Sequence, residues 1–467
     1  MRTDQLDVVI FTLFRDDNPY SSVSLSIGKE FANHNRVFYI NHPYSLKDFF
    51  SNLDFFGNPT DPKIKERKRD LLRLKTRYEQ HPDIPNMTVV IPPLTLPINW
   101  IKPGRIYNFF NKLNNRAVVT SLKKVVRDFN VQNYVYYNCF NPFFLNKMPS
   151  DLSVKPLVNV YQCIDDLDYD AYTARHGARL ERESVLNSDI TLVTATKLQK
   201  KYIHLKHETY IMNNAVDISI FKQVMQRKMD LPKEMLPTKG KKVIGFTGNL
   251  DHLRINYGLL KKIAEEHSDK YLVIVGPINC DEFYVLGLDK MENVIATGAK
   301  KIAELPQYVQ HFDAAIIPFS LNEVTKSIYP LKINEYLAAG RAVIATNFSD
   351  DIRSFKEYIH IADSEEEFVK LIDVAIAENK DSLIAKRVAI ANKNTWKDRV
   401  HQFWEIIENH LNKNNNSSNP KPQIPNLLVP PQGDQLSQGD QLSNLLSSSH
   451  GTQISNLKSV PITSNKH

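Results

Sequence analysis

Short β-branched and aromatic runs recur along the first half of the chain, and helical patterns separate them. "DVVIFTLF" (7–14) is apolar without alternation, the pattern of a strand buried on both faces. "SVSLSIGKEFA" (22–32) follows with helical spacing, then "RVFYI" (36–40) as a second strand. "MTVVI" (87–91), "NYVYYNC" (133–139), "LVNVYQC" (157–163) and "DITLVT" (189–194) continue the series, the last after a charged helix near 171–187. The rhythm then restarts. "KKVIGFTGNL" (241–250) and "YLVIVGP" (271–277) are strands around the helix "YGLLKKIAEEH" (257–267). "DAAIIPF" (313–319) is a strand after the helix "IAELPQYVQHF" (302–312). Two α/β domains, each a doubly wound parallel sheet, are predicted, over 1–220 and 221–395. The segment 215–240 between them is charged and punctuated by proline, as a linker is.

Composition bounds this picture. The chain has 467 residues, too many for one core, and 42% are apolar. A net charge of +7 suits phosphate-bearing ligands or an anionic membrane surface. Cys139, Cys163 and Cys280 have no paired spacing, which argues against a disulfide framework or zinc site and fits a reducing compartment. No apolar run reaches membrane-spanning length, and "MRTDQLDVVIFTLFRDDN" lacks a cleavage pattern. A cytoplasmic protein is expected. From 413 to 467 the composition collapses into Asn, Ser, Gln and Pro, with "QGDQLS" twice in tandem at 432–443, and a disordered tail is expected there.

Ligands of open α/β sheets bind beyond the carboxyl ends of the strands, and four segments fall there. In "GFTGNLDHLR" (245–254), Gly245 and Gly248 allow a tight turn near an anion, and Arg254 suits a phosphate; the plainer reading is a β–α turn with a surface arginine. Neither GxGxxG nor GxxxxGK[ST] is present, so neither a nicotinamide cofactor nor a P-loop is supported. In "PFSLNEVTKSIYPLKINEYLAAG" (318–340), Pro330 marks a first helical turn carrying Lys332 and Glu335. Beside a helix N-terminus the lysine suits a diphosphate and the carboxylate suits a sugar's hydroxyls. The alternative is a surface ion pair worth about 0.2–0.5 kcal/mol. "YQCIDDLDYD" (161–170) sets Asp165, Asp166, Asp168 and Asp170 after a strand, where they serve as site carboxylates or as helix caps. "NNAVDISIF" (213–221) by itself marks only a turn.

Together these segments resemble the GT-B glycosyltransferases of the retaining family 4 type, within them the teichuronic acid and cell-surface polysaccharide branch. "NNAVDISIF" is similar to N-G-V-D-x-x-x-F, "VIGFTGNL" to V-x-G-x-x-G, and "CIDDLD" to C-x-D-D. "DAAIIPFSLNEVTKSIYPLKINEYLAAGRAVIAT" is similar to the long donor motif D-x-x-x-x-P…E-x-x-x-x-G-x-P-V-x-A-T. The resemblance spans roughly 5–410 and implies two Rossmann-like domains facing a cleft, the first for the acceptor and the second for a nucleotide-diphosphate sugar. It implies that "TWKDRVHQFWEII", within a helix at 396–412, crosses back to the first domain. Glu335 would hold ribose hydroxyls, Lys332 and Arg254 would neutralise the diphosphate, Gly248 would sit against it, and Asp165 or Asp166 would face the acceptor. No metal or other cofactor is implied. Two departures stand out. Ser327 occupies the place of a further glutamate, so that its sugar contact is missing or moved to Thr325 or Lys326. Asn249 and Ile255 replace a phosphate-binding Arg and Lys, for which Arg254 or Lys326 would compensate.

A glycan or lipid-linked glycan is the expected acceptor. "KIKERKRDLLRLKTR" (63–77) and "KPGRIYNFFNKLNNRAVVTSLKKVVRDF" (102–129) offer basic surfaces for anionic lipid on the inner face of the membrane, or are simply solvated helix faces. Nucleic acid is not expected, since no recognition motif accompanies them. A sugar-nucleotide 2-epimerase and a non-catalytic binding subunit are the competing readings; the altered donor motif favours the latter, while intact Lys332 and Glu335 disfavour it.

Overall fold

The computed structural model describes residues 5–17, 22–51, 62–169, 173–378 and 380–418. The first sheet has eight strands: β1 (Asp7–Thr12), β2 (Val37–Ile40), β3 (Arg77–Gln80), β4 (Met87–Ile91), β5 (Tyr134–Cys139), β6 (Val158–Cys163), β7 (Ile190–Val193) and β8 (Thr209–Ile211). Their spatial order is 3-4-2-1-5-6-7-8, parallel except at the β3–β4 edge. The second sheet has six: β9 (Val243–Thr247), β10 (Tyr271–Val275), β11 (Val294–Ala296), β12 (Ala314–Ile317), β13 (Ala342–Thr346) and β14 (His360–Ala362). Their order is 11-10-9-12-13-14, all parallel. In both sheets the order reverses beside the first strand, between β1 and β5 and between β9 and β12. Such switch points open the crevices where ligands bind.

The continuous apolar strands are buried on both faces, as their lack of alternation predicts: β1, β5 and β9 have no exposed position. The polar strand β3, "RYEQ", escaped the sequence pattern because its side chains are mostly half-buried at an edge. The helix expected near 171–187 spans Gly177–Asn187; residues 170–172 lie outside the described set.

The closing helix runs Trp396–Ser418, past the expected end at 412 and six residues into the expected tail. Residues 419–467, which hold the tandem repeat, lie outside the described residues. Val400, Phe403 and Ile407 of this helix are buried in the core of the first domain. The Phe403 ring meets Phe31 at 5.0 Å and Tyr137 at 5.2 Å. The crossing helix therefore contributes apolar surface to the first domain, although it follows the second in sequence. Further ties join the domains. Asp351 accepts from the Thr196 hydroxyl at 2.7 Å, and the Val216 amide donates to the Asn394 carbonyl at 3.1 Å.

Candidate active site

The helix Leu331–Ala338 enters the crevice beyond β9 and β12. Pro330 fixes its entry, and no side chain caps it, so its first N–H groups keep their anion-binding character. The Tyr336 hydroxyl accepts from the Thr247 amide at 2.8 Å, pinning the helix to the end of β9. Lys332 Nζ lies 2.9 Å from Glu335 Oε2. The two side chains thus meet each other. Glu335 is only 3% exposed, while the Lys332 side chain keeps 26% of its surface. A Cβ built on Gly248 would stand 3.6 Å from Lys332 Cε, so the lysine stem passes directly over the glycine turn.

Glu335 also borders a cavity of about 760 Å³. Its walls come from both domains, with Ser22 and Ser26 from the first, Ile302 and Leu331 from the second, and Asp217 and Trp396 from the connections. Sequence reasoning missed this cavity because its walls come from segments far apart in the chain.

Arg254 Nε donates to Asp251 Oδ2 at 2.6 Å, and its side chain keeps 43% of its surface. Its charge is close enough to act on Asp165 of the first domain. Asp165 is solvent-exposed yet surrounded closely enough that desolvation raises its carboxyl above the ordinary range, with Arg254 pulling down and Asp166 pushing up. Asp166 is engaged: Lys201 Nζ lies 2.6 Å from it and 2.8 Å from Asp168. Asp165 is thus placed opposite the second domain's cation, while Asp166 and Asp168 brace the loop. Asp170 lies outside the described residues.

The loop before the helix uses its polar groups internally. The Thr325 hydroxyl donates to the Ser320 carbonyl at 2.5 Å, and Ser327 Oγ donates to the Val324 carbonyl at 2.6 Å. Lys326 Nζ bonds Glu323 at 2.7 Å, and Lys197 of the first domain reaches the same carboxylate at 2.7 Å. These two cations hold Glu323 down to about 2. Asn249 accepts from Asn279 at 2.7 Å, and Ile255 is buried. Of the residues singled out in sequence, the structure gathers Gly248, Lys332 and Glu335 at one place and sets Arg254 opposite Asp165. Glu323 went unnoticed; its only signal was a lone carboxylate in a loop of small residues.

Beneath the Asp165 loop lies a buried carboxyl that sequence did not flag. Glu181 accepts from Tyr161 at 2.8 Å and Tyr202 at 2.5 Å, and burial raises it to about 6. The native protein therefore holds this proton more tightly than the unfolded chain. Its stabilising effect is complete below the ordinary carboxylate range and is lost as pH rises through about 6. Glu181→Gln is expected to abolish a loss of about 2 kcal/mol between acid and neutral pH. Urea unfolding at about pH 4 and about pH 7 checks it; an unchanged slope in the variant refutes the assignment.

Residues 241–377 match the family model described as "Glycosyl transferases group 1". Solved structures share the architecture across both domains. An α,α-trehalose 6-phosphate synthase from Burkholderia multivorans superposes with a TM-score of 0.63 at 10% identity, covering 90% of this chain and 100% of that one. This chain has the GT-B fold of glycosyltransferases. An Escherichia coli trehalose-6-phosphate structure of the same GT-B form, bound with UDP-2-fluoro glucose, matches with a TM-score of 0.60 at 9% identity over 86% of this chain and 99% of that one. A Bacillus subtilis chain that carries the name teichuronic acid biosynthesis glycosyltransferase is 25% identical over 225 residues. That alignment covers 46% of this GT-B chain and 55% of the relative, so the chain spans about half the length of the curated relative it matches.

Proposed function

We propose that the protein transfers a sugar, with retention, from a nucleotide-diphosphate sugar to a glycan or lipid-linked glycan in cell-surface polysaccharide synthesis. The observation that carries this reading is Glu335, a carboxylate 3% exposed at the edge of a two-domain cavity, 2.9 Å from a lysine that crosses a glycine turn. In this reading Glu335 accepts hydrogen bonds from the ribose hydroxyls. Lys332, Arg254 and the first N–H groups of the helix meet the diphosphate, whose charge grows as the anomeric carbon becomes cationic. These cationic groups, rather than a metal ion, offset that charge. The acceptor hydroxyl approaches on the face the diphosphate leaves, beside Asp165, and a phosphate oxygen takes its proton. The protein works at the inner face of the membrane, where lipid-linked acceptors are reached.

A non-catalytic binding role is the second reading. It is favoured by the ion pairs that engage Arg254 with Asp251 and Lys326 with Glu323. Thermal unfolding with UDP, GDP, ADP and NAD tests nucleotide binding. A nucleoside diphosphate at ~100 times its dissociation constant adds about 2.7 kcal/mol of stability. A shift with one of the diphosphates and none with NAD is expected, whereas no shift with any of them overturns the donor-site assignment. Release of nucleoside diphosphate only when acceptor is supplied separates transfer from binding alone and from epimerisation.

A further inference from the structure

We infer that the face built from Trp100 and the first turns of the helix Arg105–Asp128 docks on an anionic lipid surface and brings that surface to the acceptor side of the cleft. The inference rests on the lipid-linked acceptor proposed above and identifies where the membrane is met. Of the two basic segments in the first domain, the second is the better suited to it. In the segment around 63–77 three of the arginines are held in ion pairs with neighbouring acids. Arg67 pairs with Glu79 at 2.6 Å, Arg69 with Glu66 at 3.2 Å, and Arg77 with Asp70 at 3.1 Å and Glu79 at 2.7 Å.

The helix Arg105–Asp128 differs. Tyr107, Asn114, Val118 and Leu122 bury its inner face. Ile106, Phe109 and Leu113, at spacing i, i+3 and i+7, make an outward apolar stripe, exposed by 66%, 60% and 37%. Trp100, in the turn before, is 74% exposed. Arg105, Lys112 and Arg116 flank the stripe and form no ion pair among the described residues. No Asp or Glu occurs between Trp100 and Arg127. An apolar stripe bordered by unneutralised cations, with a tryptophan at its end, is the pattern of a helix lying in a lipid interface. The lack of acids commits it to an anionic surface by charge complementarity.

The docking face is tied to the site. Arg175 donates to the Trp100 carbonyl at 2.7 Å, and the His176 ring stacks on Tyr107 at 3.7 Å. The neighbouring Gly177 packs on Leu167, in the loop that carries Asp165. A lipid-linked acceptor held at this face thus meets the cleft through one connected segment.

Flotation of the full chain tests this, with vesicles of phosphatidylcholine alone and of equimolar phosphatidylcholine and phosphatidylglycerol. Binding is expected only to the anionic vesicles at low salt, and lost at high salt. Ile106→Glu with Phe109→Glu should abolish it, and each single change of Arg105, Lys112 or Arg116 to Gln should weaken it about fivefold. Leu72→Glu, an exposed apolar position on the other basic segment, should leave it intact. All variants should keep the wild-type thermal midpoint and its shift with nucleoside diphosphate, so that failure of docking is distinct from failure of the donor site. No flotation of the wild type, or flotation undiminished in the double variant, overturns the proposal. So does a concentration-dependent dimer, seen by light scattering, that the double variant abolishes.

Discussion

Glu335→Ala is expected to remove the thermal stabilisation that a nucleoside diphosphate confers, while leaving the unliganded midpoint close to wild type. A carboxylate accepting two hydroxyl protons forms charge-assisted bonds worth about 1.5–3 kcal/mol each, so the affinity should fall by ~10²-fold or more. The unliganded protein tolerates the change because Lys332, the partner left behind, keeps 26% of its side-chain surface and reaches solvent along its flexible stem. Glu335→Gln sharpens the measurement. It preserves shape and one acceptor but removes the charge, and should retain part of the affinity. Isothermal titration with the diphosphate found in the panel provides the readout. Wild-type affinity in the alanine variant would place the nucleoside elsewhere and return the Lys332–Glu335 pair to a half-buried ion pair.

Gly276→Ala is expected to damage stability and nucleotide affinity together. A Cβ at this position would lie 1.8 Å from the Gly248 carbonyl oxygen and 2.7 Å from its carbon, both backbone atoms that cannot rotate away. The two loops are also stitched together. The Gly248 amide donates to Val275 at 2.9 Å, Leu250 to Pro277 at 2.9 Å, and Asn279 back to Leu250 at 2.8 Å. Relieving the clash therefore moves the glycine turn beneath Lys332. Overpacking of this kind costs about 1–3 kcal/mol, and more where only backbone can yield. Gly258→Ala is the control: its Cβ would meet only Asn256 Oδ1, at 3.4 Å, and a helical alanine should be neutral or stabilise by up to about 1 kcal/mol. Urea midpoints and nucleotide titration of both variants check the contrast. A Gly276→Ala protein as stable as the control would mean that the two loops separate freely.

The two-domain parallel architecture was legible in the chain because strands covered on both faces must be apolar throughout, and "DVVIFT", "YVYYNC" and "VIGFT" have that form without reference to any neighbour. The turn at Gly248 and the pair Lys332–Glu335 were legible for a related reason: a glycine turn after a strand and a cation at a helix start are local features, whereas the close approach of Gly276 to the Gly248 backbone is not. What the neighbours do to a side chain is not local. The sequence offered Asp165 and Asp166 as equals; Lys201 engages Asp166, and Arg254 faces Asp165 from the other domain. It offered Thr325 and Lys326 as sugar contacts, and the fold turns both toward their own loop. It offered two basic segments as one kind of surface; Glu66, Asp70 and Glu79 pair with three arginines of the first, while Arg105, Lys112 and Arg116 at the start of the second form no ion pair among the described residues. Periodicity and backbone demands reside in consecutive residues, so the chain alone determined the apolar strands of the two sheets and the helix start that carries Lys332 and Glu335. Pairing, burial and the shared cavity depend on which distant segments meet at a few ångströms, and only the tertiary structure decided them.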